Sequence, residues 1–102
     1  MVHVIASVYI KENKFEAFME IFKPNVKRVL EEKGCIEFSP TIDLDINEAV
    51  QELDSNVLTI VEKWETLEDL NKHGVAPHME TYHKAVKDLV QKVKIKVLQD
   101  LK

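Results

Sequence analysis

The stretch that decides the fold runs from Asn56 to Met79 and reads NVLTIVEKWETLEDLNKHGVAPHM. Its first nine residues, Asn56–Trp64, alternate in character and predict a β-strand. One face of that strand carries a carboxylate and an indole among aliphatic side chains: Leu58, Ile60, Glu62 and Trp64. An ionised carboxylate on an apolar face is costly unless another group pairs with it. Two nearby histidines, His73 and His78, are candidate partners, so this stretch is also the candidate site.

The residues after this strand predict two helices. Thr66 with Asp69 resembles a capping box, which opens a short helix through Lys72. Pro77 suits the first turn of a second helix, whose predicted buried stripe is Met79, Tyr82, Val86, Leu89 and Val90.

The residues before the stretch predict a strand, a helix and a second strand. Val2–Ile10 is apolar in both alternating sets, which is typical of a strand covered on both faces. An amphipathic helix of about five turns follows and ends at Gly34, with these apolar residues at three- and four-residue steps: Phe15, Phe18, Met19, Phe22, Val26, Val29 and Leu30. Pro24 predicts a kink or a break near Phe22. Cys35–Ile42 predicts the second strand, with one face formed by Ile36, Phe38 and Ile42.

The remaining segments complete a familiar element order. Residues 43–55 carry five acidic side chains and no Lys or Arg, which predicts a mobile acidic insertion with one helical turn at Glu48–Leu53. A fourth strand has lysines on one face and, on the other, Val93, Ile95 and Val97. One domain over residues 1–102 is predicted, an α+β ferredoxin-like (split β-α-β) sandwich with a four-stranded antiparallel sheet and helices on one face. Because the helices leave one face of the first strand uncovered, we predict a homodimer.

Composition argues against several classes of protein. The chain has 102 residues, of which 45% are hydrophobic and 31% charged, as in a soluble globular domain. A net charge of −4 argues against nucleic-acid binding. The single cysteine, Cys35, rules out an intrachain disulfide and a cysteine-based zinc site. No apolar run reaches membrane-spanning length, and residues 1–10 do not resemble a leader, so we expect no membrane partner and a cytoplasmic location.

Over nearly its whole length the chain resembles the antibiotic biosynthesis monooxygenase superfamily, and most closely its bacterial quinol monooxygenase subgroup. The residues that carry the resemblance are Glu62-x-Trp64, His73, Pro77-His78-Met79, Tyr82, Ala85-Val86-Lys87 and the segment Val29–Cys35. The resemblance implies a small dimeric protein that oxygenates without flavin, haem or metal. The substrate's own electron-rich ring, once deprotonated, passes an electron to O2. Relatives that degrade haem use a first-strand Asn, where this chain offers Ser7 and Tyr9, which counts against that branch.

We therefore expect a pocket between the helices and the sheet for O2 and a small aromatic or quinol-like substrate. His73 is the first candidate base, with Glu62 as its orienter, and His78 is the second. The candidate substrate-binding side chains are Trp64, Tyr82, Met79, Phe18 and Phe22. Core packing is the alternative for the aromatic residues, and a cap or a structural hydrogen bond for the polar ones. The spacing of the two histidines and Glu62 matches no metal motif, so we expect no metal.

Two other classes of function stay open. A non-catalytic binding module for an aromatic ligand would keep the pocket without the chemistry, and oxygen uptake with a quinol separates the two. An enzyme that degrades or isomerises a small signalling molecule would need a phosphate site. The chain has no glycine-rich loop and one arginine, Arg28, which weighs against that class.

Overall fold

The computed structural model describes all 102 residues, with four strands and three helices. Their order is β1 (Val2–Ile10), α1 (Phe15–Leu30), β2 (Cys35–Ile42), β3 (Val57–Trp64), α2 (Leu67–Gly74), α3 (Pro77–Val86) and β4 (Val90–Leu98). The strands form one antiparallel sheet in the order β2-β3-β1-β4. The predicted ferredoxin-like α+β fold is therefore confirmed. None of the three helices has the length and apolar character needed to cross a membrane.

The core lies between the helices and one face of the sheet, and the alternation of β1 and β3 creates it. The even-numbered residues of both strands, except the half-buried Val2, are buried, and they lie opposite one another in the pairs Val4–Glu62, Ala6–Ile60 and Val8–Leu58. Because side chains of a strand alternate between faces, all these residues point to the same side. The helix α1 packs onto that side with its own buried residues, Phe18, Phe22 and Val29.

The helix α1 corrects two expectations. It is continuous across Pro24, so the predicted break near Phe22 is wrong. A proline removes one N–H donor, which would have bonded to the carbonyl of Glu20; both residues are exposed, so water can bond to that carbonyl instead. The helix also ends at Leu30, before Gly34, which has a φ of 81° in the connection to β2 and does not cap the helix.

The ends of β2 and α3 also differ from the prediction. Phe38 is buried as expected, but the register between β2 and β3 shifts between Cys35 and Glu37, so Ile36 has no partner and is exposed. Ile42, at the far end of this edge strand, is exposed too. The helix α3 ends at Val86, so the last two residues of its predicted stripe, Leu89 and Val90, lie beyond it. They still pack on the core, from the start of β4.

The connection between β2 and β3 contains no helix. A single turn, in which the Gln51 N–H donates to the Glu48 carbonyl at 3.0 Å, takes the place of the predicted helical turn. The base of the connection is closed by the Asp54 N–H, which donates to Oδ2 of Asp43 at 2.9 Å. Its mobility stays a prediction.

Candidate active site

An open cavity of about 700 Å³ lies between the helices and the sheet. Its volume falls within the roughly 300–1,000 Å³ typical of pockets for small organic ligands. Most of the lining is apolar; the polar side chains in it, apart from Tyr82, are Asn25, Glu62, Asn71, His73, His83 and Lys87. Two of these, Glu62 and His73, are buried, with 5% and 7% of their surface exposed. A buried acid and a buried imidazole at the wall of an apolar cavity are typical of a catalytic site.

His73 presents one ring nitrogen to this cavity. It lies in the last turn of α2, and its Nδ1 is 2.8 Å from Oε2 of Glu32. Because a carboxylate only accepts hydrogen bonds, Nδ1 carries the proton. The other nitrogen, Nε2, has no hydrogen bond in the protein, and no buried side-chain nitrogen or oxygen lacks a partner, so Nε2 must be accessible from the cavity. In the neutral ring this atom holds an unshared electron pair.

His78 does not line the cavity, and both of its ring nitrogens are already bonded. Nε2 lies 2.9 Å from Oε2 of Glu32, and Nδ1 lies 2.8 Å from Oδ1 of Asn25. The amide of Asn25 is oriented by its Nδ2, which donates to Sδ of Met79 at 3.2 Å. No nitrogen of His78 is therefore free for a substrate.

These side chains, Asn25, Glu32, His73 and His78, form what we call the Glu32 cluster. Asn25 belongs to α1 and Glu32 to the connection that follows it, while His73 comes from α2 and His78 from α3. Every polar side-chain contact in the cluster thus joins elements that are distant in sequence, and the cluster fixes all three helices relative to one another. Three of its members, Glu32, His73 and His78, are of residue types that bind metals, but both histidines bond to Glu32, and no group of three or more His, Cys, Asp or Glu side chains is arranged to hold a metal ion.

Glu62 has a different partner from the one expected. Its Oε1 accepts a hydrogen bond from Nε1 of Trp64 at 2.9 Å, and it makes no hydrogen bond to His73, whose carboxylate partner is Glu32. Burial raises the pKa of Glu62, and the charge of Glu32 adds to that effect; the bond from Trp64 and the proximity of His73 oppose it. Its second oxygen has no partner in the protein and, by the same reasoning as for His73, is accessible from the cavity.

The aromatic side chains divide into those that line the cavity and those behind it. Trp64 is completely buried, does not line the cavity and lies against His73, with ring centroids 4.8 Å apart. Phe18 is also fully buried and stacks on Phe22 at 5.5 Å. Of the five side chains expected to bind substrate, three line the cavity: Phe22, Met79 and Tyr82. Trp64 and Phe18 support the wall from behind.

Tyr82 supplies a third polar group to the cavity. Its ring packs edge-on against Phe22 at 6.0 Å, and its hydroxyl has no partner within the protein. Burial raises the pKa of Tyr82 above its ordinary value, so the hydroxyl stays protonated and is available as a hydrogen-bond donor.

Sequence reasoning missed Glu32 and Asn25. Glu32 is 41 residues from His73, and Asn25 is 53 residues from His78. The only signal was indirect: a buried histidine pair requires hydrogen-bond acceptors. Nothing local distinguishes Glu32 from the other acidic residues, which number 18 with it.

Comparisons with known proteins show the family and the fold of this chain. The sequence model of the antibiotic biosynthesis monooxygenase family matches residues 1–85. The Escherichia coli K12 protein named Probable quinol monooxygenase YgiN is 31% identical over 101 residues, which are 97% of each chain. A solved structure from Nitrosomonas europaea has a TM-score of 0.84 at 23% identity and covers all of both chains. A conserved protein from Methanosarcina mazei Go1 has a TM-score of 0.84 at 22% identity, with 98% of this chain and 92% of that one covered. These solved structures share the fold.

Proposed function

Since this chain belongs to the antibiotic biosynthesis monooxygenase family, we propose that it oxidises a quinol or another electron-rich aromatic with O2, without flavin, haem or metal. The family makes the chain an oxidoreductase of the monooxygenase type, and the quinol substrate is the proposed part. The main support is the unbonded Nε2 of His73, a buried imidazole at the wall of an apolar cavity. The named function of the Escherichia coli relative supports the same substrate class.

The proposed reaction begins with proton transfer. The phenolic O–H of the quinol gives its proton to Nε2 of His73, and the resulting quinolate passes one electron to O2. The radical pair then joins as a carbon–oxygen bond, and the peroxide loses water. One oxygen atom remains in the hydroxyquinone and the other leaves as water, so the quinol supplies both electrons needed to reduce that second atom. No separate reductant is required.

Glu32 is the proposed positioning residue for this base. Its bond to Nδ1 fixes the ring orientation and the tautomer in which Nε2 can accept a proton, and its carboxylate stabilises the imidazolium that forms. The orienting role expected of Glu62 belongs to Glu32, and in the proposed reaction Glu62 lies beside the substrate instead. Its buried carboxyl, with a raised pKa, is suited to accept from or donate to a second hydroxyl of the quinol.

The lining favours a neutral aromatic over a phosphorylated ligand. Lys87 is the one lysine that lines the cavity, and no arginine does. Phosphate sites normally use arginine clusters or helix N-termini with glycine-rich loops. The cavity therefore gives little support to a signalling-molecule enzyme.

A second copy of the chain is also part of the proposal. The helices cover only one face of the sheet, and the other face carries half-exposed apolar residues, including Ile5 and Val61. A homodimer in which these faces meet would cover them. The substitution Ile5→Glu, on the uncovered face, should weaken that dimer in sedimentation experiments; Val4 faces the helices and is not a suitable position.

The test is oxygen uptake with a naphthoquinol as probe, corrected for autoxidation. His73→Ala should lower kcat by roughly 10²–10⁴-fold, because a positioned base contributes that much. The control is Lys23→Ala, since Lys23 is exposed on α1, does not line the cavity and is not on the uncovered face of the sheet. Unchanged turnover in His73→Ala together with loss in Glu62→Gln would transfer the role of base to Glu62. Saturable binding of the naphthoquinol with no oxygen uptake by the unmodified protein would instead show a binding module.

A further inference from the structure

The strand β4 is exposed along almost its whole length, unlike β1 and β3. It is an edge strand, and on one face it carries Val93, Ile95 and Val97, which border the open side of the cavity and expose 50–60% of their surface. The other face carries Lys92, Lys94 and Lys96. A long edge strand with an apolar row is a surface that proteins normally cover.

The acidic connection, residues 43–55, has the complementary character. Its acidic side chains are Asp43, Asp45, Glu48, Glu52 and Asp54, and it has no lysine or arginine. Its aliphatic side chains expose 52–90% of their surface: Leu44, Ile46, Val50 and Leu53. None of the six ion pairs in the structure uses an acid of this connection or a lysine of β4. Lys92 and Lys94 lie over the ring of Tyr9, and three of the acids accept backbone hydrogen bonds, but none of these charges is paired with an opposite charge within one chain.

The two surfaces of one chain lie at opposite edges of the sheet. The acidic connection follows β2, which is one edge, and β4 is the other edge. Two strands lie between them, and at a strand spacing of about 4.8 Å the edges are roughly 14 Å apart. A two-fold axis can place each connection against the β4 of a second copy, and the same contact then forms twice.

We propose that the acidic connection of one chain docks on β4 of a second copy and closes the open side of that copy's cavity. The aliphatic side chains of the connection would cover the row at Val93, Ile95 and Val97, and its carboxylates would meet the lysines of β4. Because β4 is an edge strand, no further strand lies beside it. A segment that runs along this edge can therefore contact side chains on both faces of β4. The cavity is open in a single chain, and the β4 side chains that line it are exposed to solvent.

The docking needs the second copy proposed above but not the oxidation chemistry, so it can be tested without activity. A mixture of unlabelled and nitrogen-15-labelled protein, treated with a zero-length carbodiimide cross-linker, should give mixed-isotope cross-links between the lysines of β4 and the acids of residues 43–55. Their absence from a cross-linked dimer would overturn the docking, whatever the result with the naphthoquinol. No substitution is needed, so folding of a variant does not limit this test.

A charge reversal tests the same contact by affinity. The double variant Lys94→Glu, Lys96→Glu should raise the dimer Kd roughly 10–100-fold at low ionic strength, since four contacts per dimer change sign. Adding Glu48→Lys and Glu52→Lys to that variant should restore most of the affinity, because neither of these side chains holds the connection in shape. The control is Lys23→Glu, Lys27→Glu on the exposed side of α1. If the β4 variant and this control have the same Kd by sedimentation equilibrium, the second copy covers another surface and the proposal is wrong.

Discussion

Replacement of Gly34 by alanine should destabilise the fold by about 3 kcal/mol, whereas replacement of the other glycine, Gly74, should not. Gly34 has a φ of 81°, which alanine adopts at a cost of about 1–2 kcal/mol. A Cβ atom at this position would also overlap the carboxylate of Asp69, a buried side chain. Displacing the Asp69 carboxylate would break the hydrogen bond that it accepts from the Thr66 hydroxyl at 3.0 Å, and so disturb the cap of α2, in which that hydroxyl oxygen accepts from the Asp69 N–H at 3.1 Å. Loss of such a cap costs about 1 kcal/mol.

Gly74 is the matched control because it differs in both respects. It lies in the last turn of α2, has no positive φ, and a Cβ there meets nothing within 4 Å. Alanine should leave stability unchanged or raise it by about 0.5–1 kcal/mol, since it has the higher helix propensity.

The measurement is urea unfolding of both variants at one protein concentration, because a dimer's midpoint depends on concentration. With a urea dependence of about 1–3 kcal/mol/M, Gly34→Ala should lower the midpoint by roughly 1–3 M without a change of slope. Equal midpoints for the two variants would contradict this prediction, because they would mean that the connection relaxes without displacing Asp69.

Three further predictions concern Glu62, Cys35 and Trp64. Glu62→Gln should stabilise the protein at neutral pH, because burial raises the pKa of Glu62 in the folded state. In the unmodified protein, the stability that is present below the unfolded-state pKa of this carboxyl is lost as the pH rises through its folded-state pKa, whereas glutamine does not ionise. The urea midpoints of the two proteins should converge in acid, and a constant difference at all pH values would contradict this cause. Burial, and then the charges of Glu32 and Glu62, raise the pKa of Cys35 to about 11. Because the thiolate is the reactive form, iodoacetamide should alkylate Cys35 roughly 100-fold more slowly in the folded protein than in the urea-unfolded protein. Equal rates would contradict this effect of the fold on the thiol. Trp64→Phe removes the hydrogen-bond donor to Glu62 and should lower the free energy of unfolding by about 1–2 kcal/mol, measured in urea. The KM for the naphthoquinol should change less than about threefold, because Trp64 lies behind the cavity wall. A large rise in KM would mean that Trp64 contacts the substrate.

Much of the fold could be predicted because its signals are local. The period-two pattern of Val2–Ile10 and of Asn56–Trp64 specifies strands with one buried face, and the steps of three and four from Phe15 to Leu30 specify a helix. With four strands and their intervening helices in this order, few topologies remain. The error at the end of α3 has a tertiary cause. Leu89 and Val90 continue a helical spacing, but Val90 pairs with Ile10 of β1, and the sheet hydrogen bonds decide in favour of a strand.

In the candidate site too, some features follow from the local sequence and others from the packing of distant elements. Local sequence is enough to single out Glu62, His73 and Tyr82, since each is a polar group on a stretch whose pattern directs it toward the core. Their hydrogen-bond partners and their access to the cavity depend on how the helices pack on the sheet. Glu32 reaches His73 across 41 residues, and Trp64 bonds to Glu62 while lying behind the wall. The physical reason is that periodicity fixes the face on which a side chain lies, whereas a hydrogen-bond partner depends on how separate elements pack, and no local pattern records that packing.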